Sequence, residues 1–532
     1  MSLRVMWTAG FVLCLTGLQL IRAGDRPSYV AAVYEHRVLL NPEPRVPLER
    51  RSALKHMEQN LRVFEEQTAD AARHGAQIIV FPEDAIHGFN YTRSSIAGYL
   101  ETVPDPKEIT WSPCAEPHRF PDTEVLRRLS CMAHKNRIFV VANMASRQSC
   151  DGHVDPLCPV DGQYQFNTNV VFSDRGTIVA RYHKHNLYFE AAFDTPPEPE
   201  YITFTTPFAG RFGVFTCFDI LFRDPAVTLV TDMGVRQMVY PTAWMNQLPL
   251  LAAVQFQRAF SHAAGVTLLA ANIRAAEYGM TGSGIFTPWD SVVHHDTEGN
   301  SGKLLVRRVP VLDPAFVGES YRPTLVPFSG YSKTSRGSEL EKAQAWDVNF
   351  FSAKQGDPNA QFCRTDSDCV ETDPADGPLA FTSIMMYDNF TLIPLKGNKG
   401  NLTVCSGSLC CHLLFQRSHT LEFYALGVFN GLHVVHGTYY LEVCALVRCT
   451  ALHHSSCGGE TEHAQTLMDF RLDGTFSTRR VFPGILGSGM TLEVPDHSGW
   501  ESGSGFYVSR KGMSTGLVTA MLYGRHYEKD NI

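Results

Sequence analysis

Short apolar runs alternate with longer stripes of helical period through the first half of the chain. Tyr29-Val-Ala-Ala-Val-Tyr34 and Gln77-Ile-Ile-Val-Phe81 read as fully buried strands. Between them Ala53, Met57, Leu61, Phe64, Thr68 and Ala71 recur at helical spacing, and Gly75 stands where such a helix would stop. Strand, helix, strand in this order is the signature of an α/β architecture. The pattern repeats. An amphipathic segment over 125–134 leads into an apolar run at 137–142, and runs at 169–172 and 177–182 flank the turn Ser173-Asp-Arg-Gly176. A strand is predicted over 212–216. Asp224-Pro225 then offers an N-cap and first-turn pair for a helix through Val230. A strand at 237–240, a helix over 248–263 and a strand at 266–271 complete the α/β unit.

Past that unit the texture changes. Residues 321–380 are rich in Ser, Gly, Pro and charge and read as a connector. From 381 to 532 the signals are short strands, such as 392–395, 433–436 and 439–443, dense in cysteine and glycine. This second domain is expected to be smaller, mostly β and disulfide-stapled. A chain of 532 residues is too long for one ordinary core, which agrees with two domains over 24–320 and 381–532. A net charge of −8 argues against a nucleic-acid partner, which would require a basic face.

The first 23 residues read as a secretory leader. Arg4 supplies the positive region, residues 5–20 the apolar stretch, and Ile21-Arg-Ala23 a small-residue cleavage site. A membrane anchor is the competing reading, but the run is short and is interrupted by Thr8, Thr16 and Gln19. The last ten residues are polar, so no lipid-anchor tail is expected and the destination is the extracellular space. Of 14 cysteines, Cys14 lies in the leader, which leaves an odd number in an oxidising compartment and points to one free thiol. Close spacing invites local bridges (114 with 131, 150 with 158, 363 with 369), although spacing does not fix the pairing. Cys217 stands far from any partner in sequence and is the candidate free thiol; a merely structural buried cysteine is the plainer reading. Asn90, Asn389 and Asn401 each head an Asn-X-Thr sequon.

Three reactive side chains fall just beyond the carboxyl ends of expected strands: Glu83 after 77–81, Lys184 after 177–182 and Cys217 after 212–216. Open α/β sheets bind ligands outside those ends. Taken singly, each residue is ordinary. Together they form a plausible machine: a thiol nucleophile, a carboxylate base and an ammonium to lower the thiol pKa and hold an oxyanion, with the Phe218 N–H as second donor. His183 and His185 bracket Lys184, but no further ligands at useful spacing suggest a metal, and no metal or cofactor is expected. A papain-like Cys–His pair lacks its local motif around Cys217.

Phe-Pro-Glu83-Asp, Tyr-His-Lys184-His-Asn and Phe-Thr-Cys217-Phe-Asp, in that order, resemble the Glu-Lys-Cys triad of the nitrilase superfamily. Longer runs look like its biotinidase–vanin branch: residues 29–36, Pro241-Thr-Ala-Trp-Met-Asn246, Met280-Thr-Gly-Ser-Gly-Ile285 and residues 424–433. His87-Gly-Phe-Asn90, residues 184–194 and the Cys363/Cys369 pair look nearer to biotinidases than to vanins. The resemblance implies a nitrilase-like αββα sandwich followed by a β-rich base domain. It also implies thiol attack on a secondary amide through a thioester on Cys217, with Glu83 as general base and Lys184 as oxyanion support. Biotin amides are the implied substrates, with biotinyl transfer to another amine open to the same thioester; pantetheine hydrolysis is the alternative. Glu190 matches the second glutamate that nitrilases often carry after the lysine, or else is a pocket-lining carboxylate. A secreted biotin carrier with an inert site is the non-enzyme alternative. The expected partner is a small-molecule amide, with the chain acting as a monomer.

Overall fold

Residues 27–313, 380–418, 421–501 and 505–531 are described by a computed structural model. The expected leader, nearly all of the connector and the Cys363/Cys369 pair lie outside them. The opening apolar run forms β1 (Ser28–Arg37), and α1 (Arg50–Arg73) buries the stripe read from its period, Ala53, Met57, Leu61, Phe64, Thr68 and Ala71. Gly75, at φ +80°, turns the chain into β2 (Ile78–Val80). There follow α2 (Glu124–Asn136), β3 (Phe139–Ser149), β4 (Gln163–Phe172), β5 (Ile178–His183), β6 (Thr203–Thr206), β7 (Gly210–Val214), the single turn α3 (Thr228–Thr231) and β8 (Gln237–Thr242). The unit closes with α4 (Ala253–Ala264), β9 (Thr267–Arg274), β10 (Ser283–Phe286), β11 (Ser291–His294) and β12 (Lys303–Pro310).

One expectation shifts: the helix predicted over 248–263 begins only at Ala253, because Pro249 lies in the turn before it. The helix predicted from Asp224-Pro225 is present: Asp224 is extended (φ −106°, ψ 126°), as an N-cap residue is, and a wide turn over Arg223–Val227 leads directly into α3. The Asp224 carboxylate accepts a bond from Thr228 Oγ1 at 2.6 Å.

The strands run in the order β5-β4-β3-β2-β1-β9-β8-β7-β6. β1 and β9 are paired only at His36↔Ile273 and Arg37↔Arg274, so the path is two sheets joined at one corner. Their inner faces share one core, with Ala31, Val33, Val80 and Val141 from one sheet against Phe212, Val214, Val239 and Leu269 from the other. α1 and α2 cover the first sheet and α4 the second. This is the αββα sandwich of the nitrilase fold.

The second domain is a separate, mostly β unit. One sheet holds β13 (Phe381–Met385), β14 (Asp388–Pro394), β17 (Tyr424–His433), β18 (Tyr439–Arg448), β24 (Leu517–Arg525), β20 (Val481–Gly487) and β21 (Thr491–Leu492), in that spatial order. The other holds β15 (Lys399–Ser406), β16 (Leu409–Arg417), β19 (Met468–Thr475), β23 (Gly505–Arg510) and β22 (His497–Trp500). Leu413, Phe415, Leu426, Leu446, Phe470 and Leu522 fill the space between them. Disulfides 405–410, 411–444 and 449–457 staple this domain, and 114–131 and 150–158 the first.

The strand predicted over 433–436 is corrected: β17 ends at His433, and Val434 to Gly437 form a turn. Gly437 takes φ +116°, His436 φ +61°, and His433 is tied to Asp388 at 2.7 Å, which together override the β preference of two valines. The outer face of the seven-stranded sheet packs against α4, with Phe482 stacked 5.9 Å from Phe260 and tilted 5.4 Å from Phe256. Each such fully buried ring contributes about 2 kcal/mol of burial energy, so the two domains hold one another in place. Arg525 donates to the Leu221 carbonyl at 2.7 Å, reaching the short helix that starts at Cys217.

Candidate active site

Cys217 is the one free cysteine among the described residues. It follows β7 at the first position of a 3-10 helix, Cys217–Leu221, and its own φ is +45°. A left-handed cysteine is strained, and the surroundings hold it there. Asp219, fully buried, accepts from the Thr216 N–H at 2.9 Å, the Tyr182 hydroxyl at 2.6 Å and the Asn186 N–H at 2.9 Å. Tyr240 donates to the Cys217 carbonyl at 2.8 Å. The thiol is therefore carried on a sharp elbow, with Phe218 next in line.

Glu83 follows β2 and Lys184 follows β5, and both are almost fully buried. The Lys184 ammonium donates to Glu83 Oε1 at 2.7 Å and is also paired with Glu190 Oε1. Glu83, about a hundred positions away in the chain, thus joins Lys184 and Glu190 in one charged cluster. Glu83 accepts a further bond at its other oxygen from the Ala243 N–H at 2.8 Å. Cys217, Glu83, Lys184 and Glu190 line a single cleft, walled also by Phe89, Phe193, Tyr278 and Met280.

Sequence reasoning missed what orients the cluster. Asn167 on β4 donates through one amide nitrogen to Glu83 Oε1 and Glu190 Oε2, both at 2.8 Å. Its oxygen receives Asn143 Nδ2 at 2.6 Å, and the same nitrogen reaches Asn169 Oδ1 at 2.9 Å. Asn169 in turn donates to Thr216 Oγ1 at 2.8 Å, beside the nucleophile. This amide ladder runs from the carboxylates to the elbow, and polar asparagines inside apolar strand runs were its only trace in the sequence. The second domain's contribution was also missed: Tyr387, His433, His436 and Tyr439 join Phe218, Leu221, Trp244 and Leu251 around a second, apolar chamber of about 470 Å³ that shares Cys217.

Charges follow from this burial. Burial alone would drive the Lys184 pKa down, but Glu190 and Glu83 overcome it and hold the group well above the usual lysine range. Burial raises Glu190 as well, against the pull of Lys184. Asp84, beside Glu83, is pushed far up by burial and then by the Glu83 and Glu190 charges, with Lys184 opposing. Burial pushes the Cys217 thiol well up and Glu83 adds to the rise, while Lys184 opposes it. A resting thiol beside a carboxylate and an ammonium can lose its proton as it attacks.

The flanking histidines sit apart from this cluster: His183 is bonded to Glu200 at 2.9 Å and stacked on Phe166, and the His185 N–H donates to Tyr182. Among the described residues no group of three or more His, Cys, Asp or Glu is arranged to hold a metal. The asparagines of all three sequons are exposed, and Asn90 lies at the rim of the charged cavity.

Residues 50–281 match the carbon-nitrogen hydrolase family and residues 379–530 the vanin C-terminal domain. The chain is 53% identical to the biotinidase of Rattus norvegicus over 95% of its length and 94% of that protein. It is 42% identical to the pantetheinase of Canis lupus familiaris over 99% of its length and 93% of that protein. This chain belongs to the biotinidase–vanin family. An amidase from Nesterenkonia sp. is a more distant neighbour, 21% identical, covering 54% of this chain and 92% of its own, with a TM-score of 0.37. As a member of the biotinidase–vanin family, the chain is an amide carbon–nitrogen hydrolase. Among the described residues no helix is long and apolar enough to cross a membrane.

Proposed function

We propose that this protein hydrolyses biotin amides, biocytin and biotinyl-peptides, to free biotin and lysine or peptide, through a thioester on Cys217. The observation that carries the chemistry is the ammonium of Lys184, fixed between Glu83 and Glu190 in the cavity that also holds the free thiol. The identity of 53% with a biotinidase against 42% with a pantetheinase favours the biotinyl substrate.

The steps follow from the groups present. Glu83 takes the thiol proton as Cys217 Sγ bonds to the amide carbon. The oxyanion is held by Lys184 and the Phe218 N–H. Collapse expels the amine, which leaves with the proton that Glu83 returns, and the thioester remains. Glu83 then takes a proton from water as its oxygen attacks the thioester, and biotin departs as the thiolate regains a proton. Glu190 holds Lys184 charged and aimed. An amine in place of that water would yield biotinyl transfer. A non-catalytic carrier would have no use for a buried cation shared by two carboxylates. Five disulfides among the described residues and three exposed sequon asparagines favour a secreted, glycosylated protein.

The test is a side-by-side assay of purified protein with biocytin and with pantetheine. Biocytin hydrolysis with little pantetheine turnover is expected; turnover of pantetheine alone would move the protein to the vanin activity.

A further inference from the structure

The rim of the apolar chamber is built from residues in backbone conformations that their side chains disfavour. The two-residue turn between β13 and β14 is Met386-Tyr387, with φ of +54° and +72°. A hairpin turn of this hand ordinarily takes Asn-Gly, because a left-handed residue with a Cβ crowds its own carbonyl. His436, on the same chamber, has φ +61°, and Phe189, which lines the charged cavity beside it, has φ +54°. These residues come from three segments and both domains, yet their rings converge. Tyr387 lies 5.2 Å from His436, and Phe189 lies 4.1 Å from His436. Tyr188 joins them, 5.7 Å from His436 and 5.0 Å from Phe218.

Met386 and Tyr188 pack against the core, but the Phe189 and Tyr387 rings complete none, since Phe189 remains 68% exposed and Tyr387 54%. Strain kept where it supports no core is a mark of ligand clamps. The division of the site gives the clamp an occupant. The departing amine must collect its proton from Glu83, which places it in the charged chamber, where a lysine's own charges are also at home. The acyl group is left with the other chamber, beyond Cys217, walled by Leu221, Trp244, Leu251 and Tyr439. A biotinyl bicycle, compact and carrying a thioether, suits aromatic walls and edges.

We infer that Tyr387 and His436 of the second domain, with Phe189 of the first, form an aromatic clamp over the biotinyl group and set acyl specificity without touching the bonds that break. This rests on the biotin-amide reading above. The decisive variant is Tyr387→Gly, which removes the ring, leaves Met386 on the core and puts at the second turn position the residue its left-handed backbone prefers. Its KM for biocytin should rise about tenfold while kcat stays within about twofold, the pattern of lost uniform binding. Its Tm should be unchanged or higher. His436→Asn, which tolerates the left-handed backbone but loses the ring contacts, should raise KM in the same direction. An unchanged KM in Tyr387→Gly, with the native protein active on biocytin, overturns the clamp. So does an equal loss in kcat, or a fall in Tm, which would assign the turn to stability. Failure of the native protein on biocytin would instead overturn the biotin reading from which the clamp is drawn.

Discussion

Glu35 and Glu83 occupy comparable places and do different work. Each lies toward the carboxyl end of a central strand of the same sheet, each is fully buried, and each has a cation nearby. Glu35 spends both oxygens on one loop, accepting from Thr281 Oγ1 at 2.7 Å, the Gly282 N–H at 3.0 Å and Ser283 Oγ at 2.8 Å, with Arg274 at 3.8 Å. Glu83 instead pairs closely with Lys184 and lines a cavity that also holds a free thiol. Burial and charge are therefore not what marks the carboxylate proposed as the base. Access to a shared space with a free thiol is. Glu35 braces the loop that carries Tyr278 and Met280, two walls of that same cavity, so its influence on chemistry is indirect.

The sharpest contrasts come from single substitutions. Cys217→Ala should reduce biocytin turnover by on the order of 10⁴-fold or more, with the thermal transition retained, since loss of a nucleophile removes the whole covalent route. Next, Glu83→Gln should cost about 10³-fold in kcat, within the range of general-base catalysis, while Glu35→Gln should cost less than about threefold. Steady-state kinetics on the two glutamine variants measures the comparison directly. Equal losses would mean that the two carboxylates are not distinguished by the cavity after all.

The same contrast extends to stability. Burial raises the Glu35 pKa to about 7, only partly offset by its hydrogen bonds and Arg274. Because the folded pKa lies above the unfolded one, the folded state binds the extra proton. The resulting stability is full below about pH 4.5 and is lost as pH rises through 7, by on the order of 3 kcal/mol. Glu35→Gln cannot titrate, and its amide can donate to Thr281 Oγ1 while its oxygen keeps Gly282 and Ser283. The variant should therefore gain on the native protein between pH 5 and 8, as read from urea midpoints. A constant difference across that window would show that Glu35 stays in one protonation state.

Much of this was legible in the sequence, for reasons that differ by residue. The α1 stripe and the short apolar strands carry their own periods, so the α/β sandwich could be read directly. Glu83, Lys184 and Cys217 stood out because reactive types recur beyond strand ends, and the family resemblance supplied their joint meaning. Asn143, Asn167 and Asn169 were invisible because their role exists only once β3 and β4 pair, with Asn143 opposite Asn169. The turn at Val434 to Gly437 was misread as strand because its fold depends on His433 meeting Asp388, a contact spanning 45 positions. The strap of second-domain residues around Cys217 could not be read from periodicity at all, since it arises from one domain docking on another.

The smallest expected effect tests whether that amide ladder merely fills space. Asn167 gives one N–H group to Glu83 and Glu190 together, and hydrogen bonds to ionised carboxylates favour the ionised form. Among the forces on Glu190, Asn167 pulls its pKa down against burial. Asn167→Ala removes two bonds to carboxylates and should therefore lower kcat/KM by at least about tenfold. It should also move the acid limb of the pH profile to higher pH, because Glu190 then protonates sooner. A packing defect alone would lower activity by the same factor at every pH, so a profile that drops without shifting would reduce Asn167 to a filler. A shifted limb would make the ladder the element that keeps the Lys184 cluster charged, a device that Glu35, bonded wholly to its own loop, does not possess.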